Sequence, residues 1–184
     1  MMETVFIGGS RDVHVLDEEV RRRIDRIVEK RLPVVIGDAN GADKAVQDYL
    51  NRRGYRRVEV FCLGDRCRNN IGRWPFRAVA SRQRRKDFRY YATKDRLMAR
   101  EADTGFMIWD GHSVGTLANV GRLARRGKKI LVYMVTSKRP IRLANEADWE
   151  RFLSNCPVAV RTRVEEELRA EEGEPASQSE ASLF

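Results

Sequence analysis

The segment Phe106-Met-Ile-Trp-Asp-Gly-His-Ser-Val-Gly-Thr-Leu-Ala-Asn119 decides the fold class of this chain. Its first four residues are apolar and predict a short buried strand, which ends at Asp110 and Gly111. After the turn, apolar residues recur at helical spacing and predict a helix: Leu117, Val120, Leu123 and Ala124. A glycine turn between a strand and a helix presents free backbone N–H groups at the positive end of the helix dipole. The segment therefore predicts a site for an anion.

Two earlier segments repeat this order of strand, glycine turn and helix. Residues 4–8 lead into Gly9-Ser-Arg11, and residues 34–36 lead into Gly37-Asp-Ala-Asn-Gly41. Strands that alternate with helices form a parallel sheet through right-handed crossovers. In such a sheet, ligands bind at the carboxyl ends of the strands, where the strand order reverses. All three glycine turns follow strands, so we expect them at one edge of the sheet.

The predicted fold is α/β: a Rossmann-like three-layer sandwich in which helices cover both faces of a five-stranded, mainly parallel sheet. The predicted strands are residues 4–8, 34–36, 58–62, 106–109 and 129–135. All but the third are apolar runs without alternation, which is typical of strands buried on both faces. Residues 63–92 are rich in arginines and turn-forming residues and predict an irregular loop, followed by a helix over 93–100.

At 184 residues, the chain is expected to form one domain with a tail. We predict a domain over residues 1–164, with its core in 3–136, and an acidic, partly disordered tail over 165–184. From Glu171 onward no periodic apolar pattern remains, so this end is predicted to be disordered and dispensable for folding. The chain has no apolar run of about 18 residues and no signal-peptide pattern, so we expect a cytoplasmic protein without a membrane span.

The three cysteines, Cys62, Cys67 and Cys156, are odd in number and unevenly spaced. This pattern does not suggest a disulfide framework and fits a reducing compartment, so we expect isolated thiols. A metal half-site at Cys62 and Cys67 is the alternative, but only His14 and His112 are present to complete it. We therefore expect no metal ion and no cofactor.

The net charge of +9 is unevenly distributed along the chain. Residues 165–184 carry seven Glu and one Arg, which leaves 35 Lys and Arg against 20 Asp and Glu, or +15, in the first 164 residues. Residues 64–100 alone carry twelve basic and three acidic side chains. Such a basic body indicates an anionic partner, such as a nucleotide, a nucleic acid or a phosphorylated metabolite. The alternative is a solvated surface that keeps the protein soluble.

The candidate ligand-binding residues all lie in the three glycine turns or in the helix starts that follow them. They are Gly8, Gly9, Ser10, Arg11, Gly37, Asp38, Asn40, Gly41, Asp43, Gly111, Ser113, Gly115 and Thr116. The glycines let a ligand approach the backbone closely, and Ser10 and Arg11 can donate hydrogen bonds to a phosphate or a ribose. An ordinary turn with a surface arginine is the alternative explanation of this first group.

The second and third turns carry polar side chains with two interpretations each. Asp38, Asn40 and Asp43 suit hydrogen bonds to ribose hydroxyls or a base edge. The alternative is that Asn40 and Asp43 cap the next helix, which needs only one such residue. Ser113 and Thr116 form a phosphate cradle with the helix N–H groups, or Ser113 is a simple N-cap.

The segment Tyr90-Tyr-Ala-Thr-Lys-Asp95 precedes the predicted strand over residues 106–109. Lys94 is a candidate cation for a phosphate, and Asp95 is a candidate base or hydroxyl acceptor; the alternative is a solvated pair in a first helical turn. Trp74 and the two tyrosines are candidates for stacking on a base. Trp74 is equally suited to anchor the long loop by packing.

Four motifs of this chain together resemble the SLOG superfamily. This Rossmann-like group includes the lonely-guy phosphoribohydrolases, ligand-sensing domains of bacterial defence systems and DNA-processing protein A. The motifs are Gly8-Gly-Ser-Arg11, Gly37-Asp-Ala-Asn-Gly-Ala-Asp43, Tyr91-Ala-Thr-Lys-Asp95 and Trp109-Asp-Gly-His-Ser-Val-Gly-Thr-Leu-Ala-Asn119. They look most like a bacterial and phage, YAcAr-like branch that is linked to nucleotide and NAD-derived metabolism. The resemblance covers residues 3–136 and depends on the order of short motifs.

The resemblance implies a pocket for a nucleotide or nucleotide derivative between the first-strand loop and the fourth-strand turn. It also points to candidate catalytic residues, namely Lys94, Asp95, Asp110 and Asn119. The phosphoribohydrolase pattern has Arg and Glu where this chain has Lys94 and Asn119. Because an amide neither takes up a proton nor carries negative charge, hydrolysis by that route requires a carboxylate from Asp95 or Asp110 instead.

Three functions follow, in order of preference. The first is a domain that binds or senses a nucleotide or nucleotide-derived small molecule. The second is an N-glycosidic phosphoribohydrolase that works through Asp95 or Asp110. The third is a DNA-binding protein in which the basic side chains of residues 64–100 contact nucleic acid weakly and without sequence preference. We expect no membrane partner. A homodimer is a further candidate, since Rossmann-like relatives of this kind often form dimers.

Overall fold

The computed structural model describes residues 2–81 and 85–173 of the chain. Its strands are β1 (Val5–Gly9), β2 (Val34–Gly37), β3 (Val58–Leu63), β4 (Phe76–Val79), β5 (Thr104–Trp109), β6 (Lys129–Met134) and β7 (Arg139–Leu143). Its helices are α1 (Glu18–Glu29), α2 (Ala42–Arg52), α3 (Phe88–Glu101), α4 (Val114–Ala124), α5 (Glu146–Ser154) and α6 (Val158–Glu172). No helix within these ranges is long and apolar enough to cross a bilayer. The predictions for residues 82–84 of the basic segment and for the tail beyond 173 lie outside the described residues.

The strands form one sheet in the order β4-β3-β2-β1-β5-β6-β7. Neighbouring strands are parallel except for β6 and β7, so the predicted α/β class with a mainly parallel sheet is confirmed. The predicted number of five strands is wrong, because β4 and β7 form the two edges. β4 has one buried residue in four and lies in the arginine-rich segment, and β7 reads Arg-Pro-Ile-Arg-Leu, so neither has a long apolar run. Pro140 is tolerated in β7 because an edge strand can leave one side unpaired.

Two hydrophobic cores lie on opposite faces of the sheet. Side chains alternate along the strands, so Phe6 and Val35 belong to one core and Ile7 and Ile36 to the other. Helices α1 and α2 cover the core of Ile7, and helices α3 to α6 cover the core of Phe6. Helices therefore cover both faces, as the apolar runs predict.

The strand order reverses between β1 and β5. From β1 the chain adds β2, β3 and β4 on one side, and then it returns to place β5 on the other side. Ile7 accordingly pairs with both Ile36 of β2 and Phe106 of β5. The connections after β1 and β5 leave the sheet in opposite directions, which opens a crevice at the carboxyl ends of these strands.

Helix α3 differs from the limits that the sequence predicts, and helix α6 extends into the predicted tail. α3 begins at Phe88 instead of residue 93, because the side chain of Asp87 caps it by accepting a hydrogen bond from the Tyr90 amide at 3.1 Å. α6 continues through Glu172, two residues into the region with no periodic apolar pattern. Its Val164 and Leu168 are buried in the core that α4 covers. The division into a domain over 1–164 and a tail stays a prediction.

The loop after β3 is held by a covalent bond and by packing. Cys62 and Cys67 form a disulfide with Cα atoms 5.0 Å apart, so the expectation of isolated thiols is wrong for this pair. The tight turn between them brings the two thiols together, which spacing alone does not reveal. Trp74 is buried, and its Nε1 donates to the Tyr55 carbonyl at 2.8 Å, so it anchors the loop. Cys156 is a free, buried thiol whose pKa is raised to about 11 by burial.

Candidate functional site

A cavity of about 580 Å³, here called the cleft, opens at the carboxyl ends of β1 and β5. Eleven of the candidate catalytic and ligand-binding residues line it: Gly8, Gly9, Arg11, Asp43, Lys94, Asp95, Asp110, Ser113, Gly115, Thr116 and Asn119. These include all four candidate catalytic residues and seven of the thirteen candidate ligand-binding residues. The other six lie behind the wall or in the adjoining turns.

The N-terminus of α4 forms one wall of the cleft. Ser113 caps the helix by accepting a hydrogen bond from the Thr116 amide at 3.3 Å, and the Thr116 hydroxyl donates to Ser113 Oγ at 3.0 Å. Space beside Gly115 is open, since the one described residue that a Cβ there would meet is Phe88, at 3.6 Å. An anion can therefore approach the helix backbone where the dipole favours negative charge.

Ser10 and Asp110 tie the turns after β1 and β5 together. Ser10 is fully buried, and its Oγ accepts a hydrogen bond from the Asp110 amide at 3.1 Å. Asp110 Oδ1 accepts hydrogen bonds from the amides of His112, at 2.9 Å, and Ser113, at 2.8 Å, which folds the turn around Gly111. Both side chains thus shape the cleft wall, and one oxygen of Asp110 is occupied by backbone groups.

Asp38 and Asn40 do not line the cleft. Asp38 is buried and accepts hydrogen bonds from the Arg68 amide at 2.9 Å and from Arg68 Nη2 at 2.7 Å. Asn40 Oδ1 accepts a hydrogen bond from Asn69 Nδ2 at 3.0 Å. The two side chains hold the loop after β3 against the turn after β2. This role differs from both ligand binding and helix capping, the two roles considered from the sequence. The sequence did not reveal this role because Arg68 lies 30 residues further along the chain.

Asp43, Lys94 and Asp95 form a charged cluster in the cleft. Lys94 is 3% exposed, and its Nζ lies 2.7 Å from Asp95 Oδ1. Asp43 and Lys94 both pack over Gly37, where a Cβ would lie 2.5 Å from Asp43 Oδ2 and 2.8 Å from Lys94 Nζ. Gly37 is therefore required to make room for the cluster and does not itself line the cleft.

Burial and charge shift the pKa values of the two carboxylates in opposite directions. Burial raises the pKa of Asp43 to about 6, although the charge of Lys94 opposes it. Burial alone would also raise the pKa of Asp95. The charges of Lys94 and Arg122 outweigh this effect and lower the pKa of the Asp95 carboxyl. Burial disfavours the charged form of Lys94, yet Asp95 and Asp43 raise its pKa overall. Asp95 and Lys94 thus form an ion pair, and Asp43 is the member that exchanges a proton near pH 6.

Asn119 connects this cluster to the C-terminal helix. Its Nδ2 donates to Asp95 Oδ2 at 3.1 Å, and its Oδ1 accepts from Arg122 Nη1 at 2.5 Å. Arg122 is 1% exposed and pairs with Glu171 of α6 at 2.5 Å. Position 119 therefore needs both a donor and an acceptor, which an asparagine supplies and a glutamate does not. No sequence pattern points to Arg122 or Glu171, because none indicates that α6 packs on α4.

Two arginines lie against the ring of Tyr91 in the cleft. The Cζ atoms of Arg68 and Arg11 lie 4.9 Å and 5.1 Å from the ring centroid, within the range of cation–π contact. All three side chains line the cleft. Of the candidates for stacking on a base, Tyr91 reaches the cleft, whereas Trp74 is buried beneath the loop after β3. The sequence located Arg68 only as one cation of the 64–100 segment.

Comparison with known proteins shows the fold but not a family. No family model matches this chain, and no curated protein matches it. DNA processing protein A from Helicobacter pylori, whose structure was described for its unique single-stranded DNA binding mode, superposes with a TM-score of 0.55 at 13% identity, over 91% of this chain and 81% of that one. DNA processing protein A from Streptococcus pneumoniae superposes with a TM-score of 0.51 at 14% identity, over 85% of this chain and 62% of that one.

This likeness establishes a Rossmann-type fold similar to that of DNA processing protein A. The present chain spans less than two thirds of the Streptococcus protein. At such low identity, ligands and activities do not transfer with the fold. The YAcAr-like branch, the nucleotide ligand and the roles of the site residues therefore stay predictions.

Proposed function

We propose that this protein binds a nucleotide or nucleotide-derived ligand whose ribose phosphate lies in the cleft. The observation that carries the proposal is the convergence, at the reversal of strand order, of the open α4 N-terminus with the buried carboxylate of Asp43. The cavity of about 580 Å³ is within the usual size of small-molecule sites.

The phosphate is assigned to the N-terminus of α4. The first amides of a helix have no partner within the helix. In α4, the Thr116 amide donates to Ser113 Oγ and is therefore already paired. The amides of Val114 and Gly115 remain to donate to an anion. Arg11 adds a positive charge to the same cleft. Lys94 is less suited to the phosphate than the sequence suggested, because its ammonium is paired with Asp95.

The ribose is assigned to Asp43. In the described part of the chain, its carboxylate accepts one hydrogen bond, from the Ala39 amide to Oδ2 at 3.2 Å. The other oxygen is left to accept from a ligand hydroxyl. Tyr91 and its neighbouring arginines supply a surface on which a base can stack.

The proposal is for binding without turnover. Hydrolysis requires a carboxylate that can act on the bond to the base, and the sequence offers Asp95 and Asp110. Asp95 is paired with Lys94 and Asn119, and Asp110 holds the turn after β5. Both are engaged in holding the cleft together.

Calorimetric titration with the common nucleoside 5′-monophosphates tests the proposal. Gly115→Asp places a carboxylate where the phosphate is expected, so affinity should fall by about tenfold or more. Ala159→Asp, exposed in the first turn of α6, adds the same charge away from the cleft and should leave affinity unchanged. If Gly115→Asp folds and binds like the wild type, the α4 cradle is excluded.

Nucleic-acid binding is the second candidate function. It is supported by the charge of +15 over residues 1–164, which hold 35 basic and 20 acidic residues, and by the DNA-binding mode described for the Helicobacter protein of similar fold. If this function is correct, affinity for DNA falls steeply with added salt, because each neutralised phosphate releases counterions. Affinity independent of salt, or no binding at low salt, contradicts it.

A further inference from the structure

The edge of the sheet opposite the cleft, here called the amino edge, carries a dense set of cations. Because the helices that join parallel strands run antiparallel to them, helices α1 to α4 all end at this edge. Exposed basic residues lie at these helix ends or in the links to the next strands: Lys30, Arg31, Arg52, Arg53, Arg56, Arg57, Arg100, Arg125, Arg126 and Lys129. The topology thus gathers cations that are far apart in sequence.

Three of these cations are neutralised by neighbours. Arg52 pairs with Asp48, Arg53 with Asp25 and Arg125 with Glu172. Within residues 2–81 and 85–173, the other seven have no carboxylate partner within 4.0 Å: Lys30, Arg31, Arg56, Arg57, Arg100, Arg126 and Lys129. Seven of the ten cations at the amino edge therefore lack an ion-pair partner among the described residues.

Helix capping accounts for only part of this set. Basic residues in a last helical turn interact favourably with the helix dipole, which explains Arg100 at the end of α3. Arg56, Arg57 and Lys129 lie beyond their helices, where that effect has faded. Their accumulation thus needs another explanation.

Like charges crowd one another at this edge. Burial lowers the pKa of Arg126; Glu171 opposes this shift, while the neighbouring charges of Arg122 and Arg100 add to it. Burial likewise lowers the pKa of Lys128 and Arg126 adds to the effect, although Asp103 and Glu101 oppose it. The fold thus holds these cations close to one another, which favours the binding of an anionic partner.

The unpaired cations form two groups along the edge. Lys30, Arg31, Arg56 and Arg57 precede β2 and β3, and Arg57 Nη1 donates to the Arg31 carbonyl at 2.8 Å. Arg100, Arg126 and Lys129 lie at the start of β6 and the helix ends beside it. Three strand spacings separate β2 from β6, or about 14 Å. Asp103 lies between the groups and accepts a hydrogen bond from the Thr4 amide at 2.7 Å.

We propose that the amino edge binds the phosphate backbone of double-stranded DNA without sequence preference. This inference rests on the second candidate function and places it on the face opposite the cleft, where Arg100 is the one member of the set that comes from the arginine-rich segment 64–100. A duplex presents phosphates at intervals that two cation groups about 14 Å apart can contact together. Within 2–4, 29–33, 51–57, 100–103 and 124–129, the described residues include no exposed aromatic side chain on which unpaired bases could stack.

Salt titration of duplex binding, followed by fluorescence anisotropy, tests the inference. The test variant is Arg56→Gln/Lys129→Gln, which removes one cation from each group without breaking a described ion pair. The plot of log affinity against log salt should become less steep by about 1.8, since each lost contact contributes about 0.9. The control is Arg66→Gln/Arg85→Gln, which removes the same charge from exposed positions in segment 64–100 and should leave the slope unchanged.

The possible results distinguish the proposed amino-edge site from nucleic-acid binding in general. If the wild type binds neither duplex nor single-stranded DNA at low salt, both are wrong. If the wild type binds and only the control variant loses slope, the function stands and the amino edge is excluded as its site. A clear preference for one sequence, or for single strands over duplex, also overturns the inference. Nucleotide binding in the cleft should be the same in both variants.

Discussion

Asn119 uses both halves of its amide, because Nδ2 donates to Asp95 while Oδ1 accepts from Arg122. A glutamate at this position can accept from Arg122 but has no proton to donate to an ionised Asp95. The side chain is 5% exposed, so water cannot readily replace the lost hydrogen bond. The departure from the phosphoribohydrolase pattern is visible in the sequence, but only the two distances supply a physical reason for it.

Asn119→Glu should therefore destabilise the fold by about 2–4 kcal/mol, because it buries a second carboxylate against Asp95. Urea denaturation measures the change. Asn51→Glu adds the same charge at an exposed site near the end of α2 and should change stability by less than about 0.5 kcal/mol. Equal stability of Asn119→Glu and wild type would mean that the amide is not held between these two partners.

Asp43 makes the stability of the protein depend on pH. Its pKa is raised from 3.8 to about 6, so between these values the folded state binds more protons than the unfolded state. The contribution of this carboxyl is therefore largest at low pH and is lost as pH rises through about 6. Asp43→Asn has no such proton to lose, so its stability relative to wild type should increase over this range.

Urea denaturation of both proteins at a series of pH values provides the measurement. Asp48→Asn, on the same helix and half-exposed, is the control and should follow the wild-type profile closely. A constant difference between Asp43→Asn and wild type across this range would show that Asp43 titrates normally.

Among the secondary-structure elements, the sequence predicts the strands that are buried on both faces of the sheet. β1, β2, β5 and β6 are apolar runs because both faces of the sheet are covered. The edge strands β4 and β7 are less buried and lack such apolar runs, so the sequence does not predict them. In the site, the glycine turns were located by their spacing, but the choice among Asp38, Asn40 and Asp43 was not possible. It depends on Arg68 and Asn69, which only the tertiary structure brings to the first two.

The end of α6 gives a prediction about truncation. Deleting residues 174–184 should leave the melting temperature within about two degrees, the size of a neutral surface change. Deleting residues 171–184 also removes Glu171, which leaves the buried Arg122 without its carboxylate, and should lower the melting temperature by about 5 °C or more. Calorimetry of both truncations tests this. If the two melt together, Glu171 does not support the cluster behind the cleft.

At the scale of the whole molecule, the fold separates two charged regions. The carboxyl ends of the strands surround a cleft that contains both cations and carboxylates, whereas the amino edge carries seven cations that have no carboxylate partner among the described residues. Net charge alone did not separate the two, because segment 64–100 contributes to several places. Arg77 pairs with Glu59 and Glu101, while Arg68 pairs with Asp38 beside the cleft. The number of basic residues in segment 64–100 therefore does not mean that they form a single basic surface.

Crystal structures of the wild type grown with each common nucleoside 5′-monophosphate show whether a nucleotide binds in the cleft and where its phosphate lies. We expect at least one of them to bind with its phosphate on the amides of Val114 and Gly115 and a ribose hydroxyl on Asp43. The base should remain attached to the ribose. An empty cleft with every nucleotide, or a phosphate bound away from the α4 N-terminus, would rule out the proposed nucleotide site.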